Sequence, residues 1–236
     1  MTHIPKKKFI ITGCGRSGTG FMQSRLNAVG IKCGHESVFT SKGFLKWGEL
    51  DGDSSWYAAP FLDGFTDTNV IHLVRNPKDV IRSFYRIGVF STIGWINFLI
   101  DPTPKSFFRR YILKPANIKE RVIHVRDIRK LVRTYTHAFH VKSELKRIEM
   151  YWIQWNLMIE KNEKTFKNNY MRVRLEDIED QWAALLEHLG YDYVPFPENI
   201  KVNKKENYTR KVPKVIKFSK EIESLANKYG YNNQLT

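Results

Sequence analysis

The stretch from Phe9 to Phe21, FIITGCGRSGTGF, constrains the fold more than any other part of the chain. The β-rich run Lys8 to Thr12 ends at a glycine, and beyond the loop Met22, Leu26 and Val29 recur at i, i+4 and i+7, one face of a helix. Strand, glycine loop and helix together make the repeating unit of a parallel α/β sheet. Gly13, Gly15 and Gly18 spell the dinucleotide fingerprint G-x-G-x-x-G. The same letters nearly spell the phosphate loop G-x-x-x-x-G-K-[ST], but Thr19 stands in place of its lysine and Gly20 in place of its magnesium-binding hydroxyl.

The rest of the chain supports that frame. Ile31 to Cys33 reads as a short second strand, Asn69 to Val74 (NVIHLV) as a buried third and Tyr170 to Leu175 as a fourth. Helices are expected after Pro77 (apolar side Val80, Ile81, Phe84), along Ile148, Trp152, Trp155 and Ile159, and along Trp182, Leu185, Leu186 and Leu189, the last closed by Gly190. Strands alternating with helices predict an α/β fold, a central parallel sheet with helices on both faces. A chain of 236 residues buries one sizeable core, so the expectation is a single domain, 1–236, with a basic, largely helical insertion at about 86–147.

Charge narrows the partners. The net charge is +15, and between Pro104 and Arg147 thirteen Lys or Arg face three Asp or Glu. Such an excess implies an anionic partner: a phosphorylated cofactor, an acidic glycan, a nucleic acid or a lipid surface. The tract carries no recognisable nucleic-acid motif, which disfavours nucleic acid. Cys14 and Cys33, the only cysteines, are too few for a disulfide scaffold or a cysteine-built zinc site. The apolar run after Lys6, Lys7 and Lys8 meets Gly13 and Arg16 too soon for a signal-peptide core, and VFSTIGWINFLI is too short to span a bilayer. The expectation is a soluble or cytoplasmic protein without a transmembrane segment.

The loop chemistry favours a terminal anion over a pyrophosphate. Glu36 lies near the distance at which a dinucleotide fold places its ribose-binding acid. Arg16, Ser17 and Thr19, however, crowd the loop with donors suited to several anionic oxygens. Without the lysine and its following hydroxyl, the usual γ-phosphate contact and magnesium ligand are missing. Backbone amides at a helix N-terminus still bind a phosphate without metal, and Arg16 adds fixed charge. Gly15, Arg16, Ser17, Gly18, Thr19 and Gly20 are therefore candidate cofactor-binding residues, and no metal is expected. Arg75 closes the third strand, where open α/β sheets bind ligands, and Asp79 and Ser83 stand one helical turn apart beyond it. Arg75 and Ser83 are the candidates for a second phosphate.

Two of these segments resemble the sulfotransferase family, which takes a sulfuryl group from 3′-phosphoadenosine 5′-phosphosulfate. Gly15-Arg16-Ser17-Gly18-Thr19 is similar to the family's [KR]-S-G-T loop around the 5′-phosphosulfate. Val74-Arg75-Asn76-Pro77-Lys78-Asp79-Val80 with Ser83 is similar to its R-[ND]-P-x-D-x-x-x-S segment at the 3′-phosphate. Weaker likeness extends to Tyr151 through Asn156 and to Val173 through Ile178, whose E-D-[LI] ending is Glu176-Asp177-Ile178. The resemblance covers about residues 8–190, leaving the basic insertion unmatched. It implies a P-loop NTPase-like sulfotransferase fold and sulfuryl transfer to a hydroxyl or amine acceptor, with carbohydrate among the candidates. It also implies adenosine 3′,5′-bisphosphate as product and no metal requirement.

In that reading Arg16 stabilises the departing 5′-phosphate, and a base follows the second strand. Glu36 resembles the glutamate of glycan sulfotransferases, while a histidine serves in the cytosolic branch, so Glu36 is preferred to His35. Trp47, Trp56, Tyr57 and Pro60 form either a platform for a sugar ring or core. His124, His137 and His140 are the fallback bases. Lys204, Lys205, Arg210 and Lys211 lack the cytosolic branch's R-K-G form and read as a solvated charge run. A nucleotide-dependent kinase-like protein and a non-catalytic nucleic-acid-binding module remain the alternatives.

Overall fold

The computed structural model describes residues 7–91, 116–198, 200, 210–232 and 234, with the backbone alone for 116–125. The expectations for 92–115, for Lys204 and Lys205 and for the His124 side chain lie outside the described residues. The chain divides into two compact units: Met1–Arg75 with Trp155–Lys204, and Asn76–Gln154 with Lys205–Thr236.

The first unit holds the sheet. Its strands are β1 (Phe9–Thr12), β2 (Cys33–His35), β5 (Gly52–Ser54), β6 (Asn69–Val74) and β7 (Tyr170–Arg174), and β3 (Phe39–Thr40) pairs with β4 (Gly43–Phe44) in a separate hairpin. The five-stranded sheet runs β2-β5-β1-β6-β7, with every pairing parallel. Helices flank it, as a parallel sheet requires. The second strand begins two residues later than expected, which makes His35 its last residue. β5 was not expected, because Gly52, Asp53 and Ser54 have the composition of a turn. Its place is set by packing: a Cβ on Gly52 would lie 2.3 Å from the Phe9 ring, so only glycine lets that ring cover the strand.

Alternation along the strands sorts the two faces. Phe9, Ile11, Ile71, Leu73 and Val173 join a core with Met22 and Leu26 of α1 (Thr19–Ala28) and Trp182, Leu185 and Leu186 of α6 (Trp182–His188). Each fully buried aliphatic side chain there contributes about 1.5–3 kcal/mol. On the opposite face of β6, His72 is buried between the Tyr170 hydroxyl (2.6 Å) and Asn156 Oδ1 (3.0 Å). Burial lowers its pKa to about 3, so it is a neutral structural imidazole.

The second unit holds α2 (Pro77–Ile87), α3 (Ala116–Tyr135), most of α4 (Glu144–Glu160) and α7 (Lys220–Lys228). Asn76 caps α2 by accepting from the Lys78 amide, Pro77 occupies the first turn, and Gly88 (φ 77°) ends the helix. Phe84, Phe90 and Tyr151 pack ring against ring at 5.2–5.3 Å. The short helix α5 (Glu163–Phe166) belongs to the first unit, where Arg172 pairs with Glu160 and Glu163 at 2.8 and 2.9 Å.

Candidate active site

The strand order opens the site. From β1 the chain returns at β2, on one side of the sheet; from β6 it returns at β7, on the other. Neighbouring strands whose connections leave in opposite directions leave a crevice at their C-terminal ends. The glycine loop occupies the end of β1, and Arg75 the end of β6.

The loop is held down by close backbone packing. A Cβ on Gly13 would fall 2.1 Å from the Leu73 carbonyl oxygen, and one on Gly18 2.7 Å from Leu175 Cδ1. Gly18 also has φ 101° and is the N-cap of α1, while Arg16 takes φ 72°, a left-handed conformation that non-glycine residues rarely adopt. Inside the turn the Ser17 amide donates to the Cys14 carbonyl, and the Ser17 hydroxyl sits 3.0 Å from Cys14 Sγ. Ser17 is thus turned into the protein, where it shapes the loop. Burial pushes the Cys14 thiol up to about 12, so it stays protonated. Arg75 donates from Nη1 to the Arg16 carbonyl at 3.0 Å, tying the loop to the end of β6.

What remains open is the start of α1. No side chain caps it, and its first turn has no acidic residue. The first N–H groups of a helix lack intrahelical partners and carry the positive end of its dipole, so they favour an anion.

His35 and Glu36 stand beside this cradle. His35 Nε2 lies 3.4 Å from Thr19 Oγ1 and 3.9 Å from a Glu36 carboxylate oxygen. A Cβ on Gly20 would be 3.3 Å from the same Nε2, so the imidazole rests on the first turn of α1. Glu36 takes φ 55°, and of the three described non-glycine residues with positive φ two, Arg16 and Glu36, belong to this site. Strained backbone of this kind gathers where geometry is functional. Burial, reinforced by the negative charge of Asp53, raises Glu36 to about 7; a Trp56 hydrogen bond and the charge of Arg16 act against the rise. Burial lowers His35 below the ordinary histidine value, against a smaller upward pull from Asp53. A carboxyl that titrates near neutrality can exchange a proton there.

Asp53, which the sequence reading missed, holds this arrangement. It is fully buried and accepts from the amides of Ser37 (3.2 Å), Val38 (3.1 Å) and Phe39 (3.0 Å), fixing the turn that follows Glu36. Gly34 has to be glycine beside it, because a Cβ there would come within 2.6 Å of Asp53 Oδ1. Burial raises the Asp53 pKa against those three amide bonds. An acidic residue framed by glycine and serines was the available signal, and it reads as a turn.

The structure therefore brings Gly15, Arg16, Ser17, Gly18, Thr19, Gly20, His35, Glu36 and Arg75 together in the first unit; Ser83 lies on α2 in the second. Trp56 and Tyr57 are core residues, and Pro60 sits inside the 3₁₀-helical stretch Trp56–Gly64. Trp47 packs edge-on against Phe39 and Phe65. His137 and His140 belong to the second unit, their rings 5.4 Å apart. Asp177 of the E-D-I segment pairs with Arg174 at 2.5 Å. Arg210 is no solvated charge: it grips both Glu144 oxygens at 2.8 Å, donates to the Tyr85 carbonyl and lies over the Tyr85 ring. Among the described residues no three His, Cys, Asp or Glu side chains converge as a metal site, and no helix is long and apolar enough to cross a membrane. No family model matches the chain, and comparison with curated proteins finds no match.

Proposed function

We propose that this chain is a sulfotransferase, moving a sulfuryl group from 3′-phosphoadenosine 5′-phosphosulfate to a hydroxyl or amine, with a sugar hydroxyl as the favoured acceptor. The reading rests on the resemblance of the two phosphate segments to that family and draws support from one observation above all. Glu36, with its pKa near 7, stands next to an anion cradle that has neither the lysine nor the magnesium-binding hydroxyl of a phosphate-transferring loop.

The roles follow from the chemistry. The α1 N-terminus, Thr19 and Arg16 bind the 5′-phosphosulfate, and Arg16 balances the charge that builds on the leaving 5′-phosphate oxygen. Arginine does not release its proton, so its part is electrostatic. Glu36 removes the acceptor's proton as the acceptor oxygen or nitrogen forms its bond to sulfur and the bond from sulfur to the 5′-phosphate oxygen breaks. His35 orients Thr19 and Glu36. Arg75 is assigned to the 3′-phosphate; Ser83 carries that role only as what the resemblance implies.

Calorimetry with adenosine 3′,5′-bisphosphate in the presence of a chelator tests this directly. Binding is expected without Mg²⁺, more tightly than ATP, and Arg75→Ala should cost about 1.5–3 kcal/mol of affinity. An absence of binding at millimolar bisphosphate, or strict dependence on Mg²⁺, would overturn the proposal.

A further inference from the structure

A second concentration of charge lies in the other unit. Phe139, on the turn Ala138–His140, stacks on Phe90 with ring centroids 5.4 Å apart and planes at 12°. Three guanidinium groups surround its ring: Arg133 at 4.9 Å, Arg129 at 5.1 Å and Arg147 at 6.0 Å from the centroid. Arg129 and Arg133 are one turn apart near the end of α3 and so share a face.

Their partners among the described residues do not balance their charge. Arg147 is buried and donates to two carbonyls, Val141 at 2.5 Å and Phe90 at 3.0 Å. Arg129 donates from Nη2 to the Ser91 carbonyl at 3.2 Å, and its Nε is buried with no acceptor among the described residues. Arg133 is exposed and has no carboxylate partner among the described residues. Glu144, the acid that acts on Arg129, has both oxygens committed to Arg210. Carbonyl acceptors and an aromatic face satisfy geometry but supply no counter-charge. The charges of Arg133 and Arg147 both act against that of Arg129, and an anion bound among them would offset that repulsion.

We propose that Arg129 and Arg133, backed by Phe139, form a binding site for a tetrahedral oxyanion, a sulfate or phosphate ester group, built from residues other than those of the glycine loop and argued independently of the chain's proposed activity. Two forked guanidinium groups on adjacent helical turns match the oxygens of such a group, which point charges on lysines do not. Phe139 holds both side chains in place before the anion arrives, so little entropy is lost on binding.

The test is calorimetry on the full chain carrying Arg16→Gln, which removes the glycine loop's side-chain charge but leaves its backbone amides, with inorganic sulfate and pyrophosphate as separate titrants at physiological salt. A binding event that depends on Arg129 and Arg133 is expected, whatever weak binding the loop amides retain. Arg133→Gln and Arg129→Gln should each weaken it by about tenfold or more, with Arg133→Lys only partly restoring it. Lys130→Gln, an exposed charge on the same helix, should change it by less than about threefold. Arg133 is exposed, so its variants are expected to fold normally, and an unchanged melting temperature verifies this. If no such event is seen, or if Lys130→Gln weakens it as much as Arg133→Gln, the site does not exist as such and the tract is a diffuse charge patch. Preference for sulfate points to a sulfated ligand, and preference for pyrophosphate to a phosphorylated one.

Discussion

As proposed, the glycine loop of the first unit and the arginine cluster of the second are two solutions to one problem, holding negative charge. The loop uses backbone: an uncapped helix start, positive φ at Arg16 and Gly18, and glycines whose missing Cβ atoms let the chain lie against Leu73 and Leu175. The cluster uses side chains: three guanidinium groups around Phe139, with no glycine or strained residue required. A backbone receptor demands residues in order along the chain, so it leaves a motif. A side-chain receptor is assembled from α3, the Ala138–His140 turn and α4, so it leaves only composition. Beside the backbone receptor stands Glu36, whose carboxyl titrates near neutrality, and the proposed chemistry is assigned there.

The sharpest way to break that contrast is to remove the acid's chemistry and keep its shape. Glu36→Gln keeps size and hydrogen bonding but cannot accept a proton. Turnover of a sulfated product should fall by roughly 10²–10⁴ while bisphosphate affinity stays nearly unchanged. His35→Ala is the matched comparison, and loss of transfer there with retention in Glu36→Gln would exchange the two roles.

A second prediction tests whether the loop is held by its glycines. Gly13→Ala places a Cβ 2.1 Å from the Leu73 carbonyl oxygen, and neither the central strand β1 nor β6 has room to retreat. Denaturant unfolding should show a loss of about 3 kcal/mol, together with weakened bisphosphate binding. A variant of full stability would mean that the loop stands off the sheet. No single glycine should matter in this way to the arginine cluster.

The same contrast explains how much of the molecule could be read in advance. β1, β6 and β7 are apolar runs bounded by glycine, arginine or an acidic pair, and α1, α2 and α6 carry apolar spacing and end signals, so their existence was legible. The start of β2 was misplaced by two residues because its limits are set by pairing with β5, which the sequence hides. Asp53 was missed for the same reason. Its three amide bonds reach residues 14–16 positions earlier, a partnership that exists only once two parallel strands lie side by side. Trp56 and Tyr57 were ambiguous because aromatic composition does not distinguish a ring in a core from a ring at a mouth, and packing against Trp155 decides for the core. Arg210 reads as one more charge in a basic run until Glu144, 66 positions away, is brought to it.

The smallest expected effect concerns how Asp53 tunes Glu36. Glu36 has a folded-state pKa raised from 4.5 to about 7, so the native protein keeps a proton that the unfolded chain releases. Between those values the native state binds more protons, and the contribution of this group to stability declines as pH rises through the window. Turnover has the opposite sign, since the carboxylate is the active form, and should rise with pH and level off above about 7. The charged and polar groups acting on Glu36 are Asp53, Arg16 and Trp56, with His35 alongside at 3.9 Å. Asp53→Asn removes the one negative neighbour acting on Glu36 among the described residues, so the Glu36 pKa should fall and the acid limb of the rate profile should move to lower pH. Burial is the larger cause of the shift and stays in place, so the displacement should be smaller than the full return to 4.5. Asparagine also keeps only one acceptor oxygen for the amides of Ser37, Val38 and Phe39, which lowers stability at every pH and is read separately by thermal unfolding. A pH–rate profile that keeps its position in Asp53→Asn, measured on protein that is folded at each pH, would leave Asp53 as a bracket for the turn alone. A histidine base would move the limb in the same direction, because Asp53 also raises the His35 pKa. The identity of the titrating group is therefore read from Glu36→Gln, in which a limb that belongs to Glu36 disappears and one that belongs to His35 stays, and in the latter case His35 would take the place of Glu36 as the base.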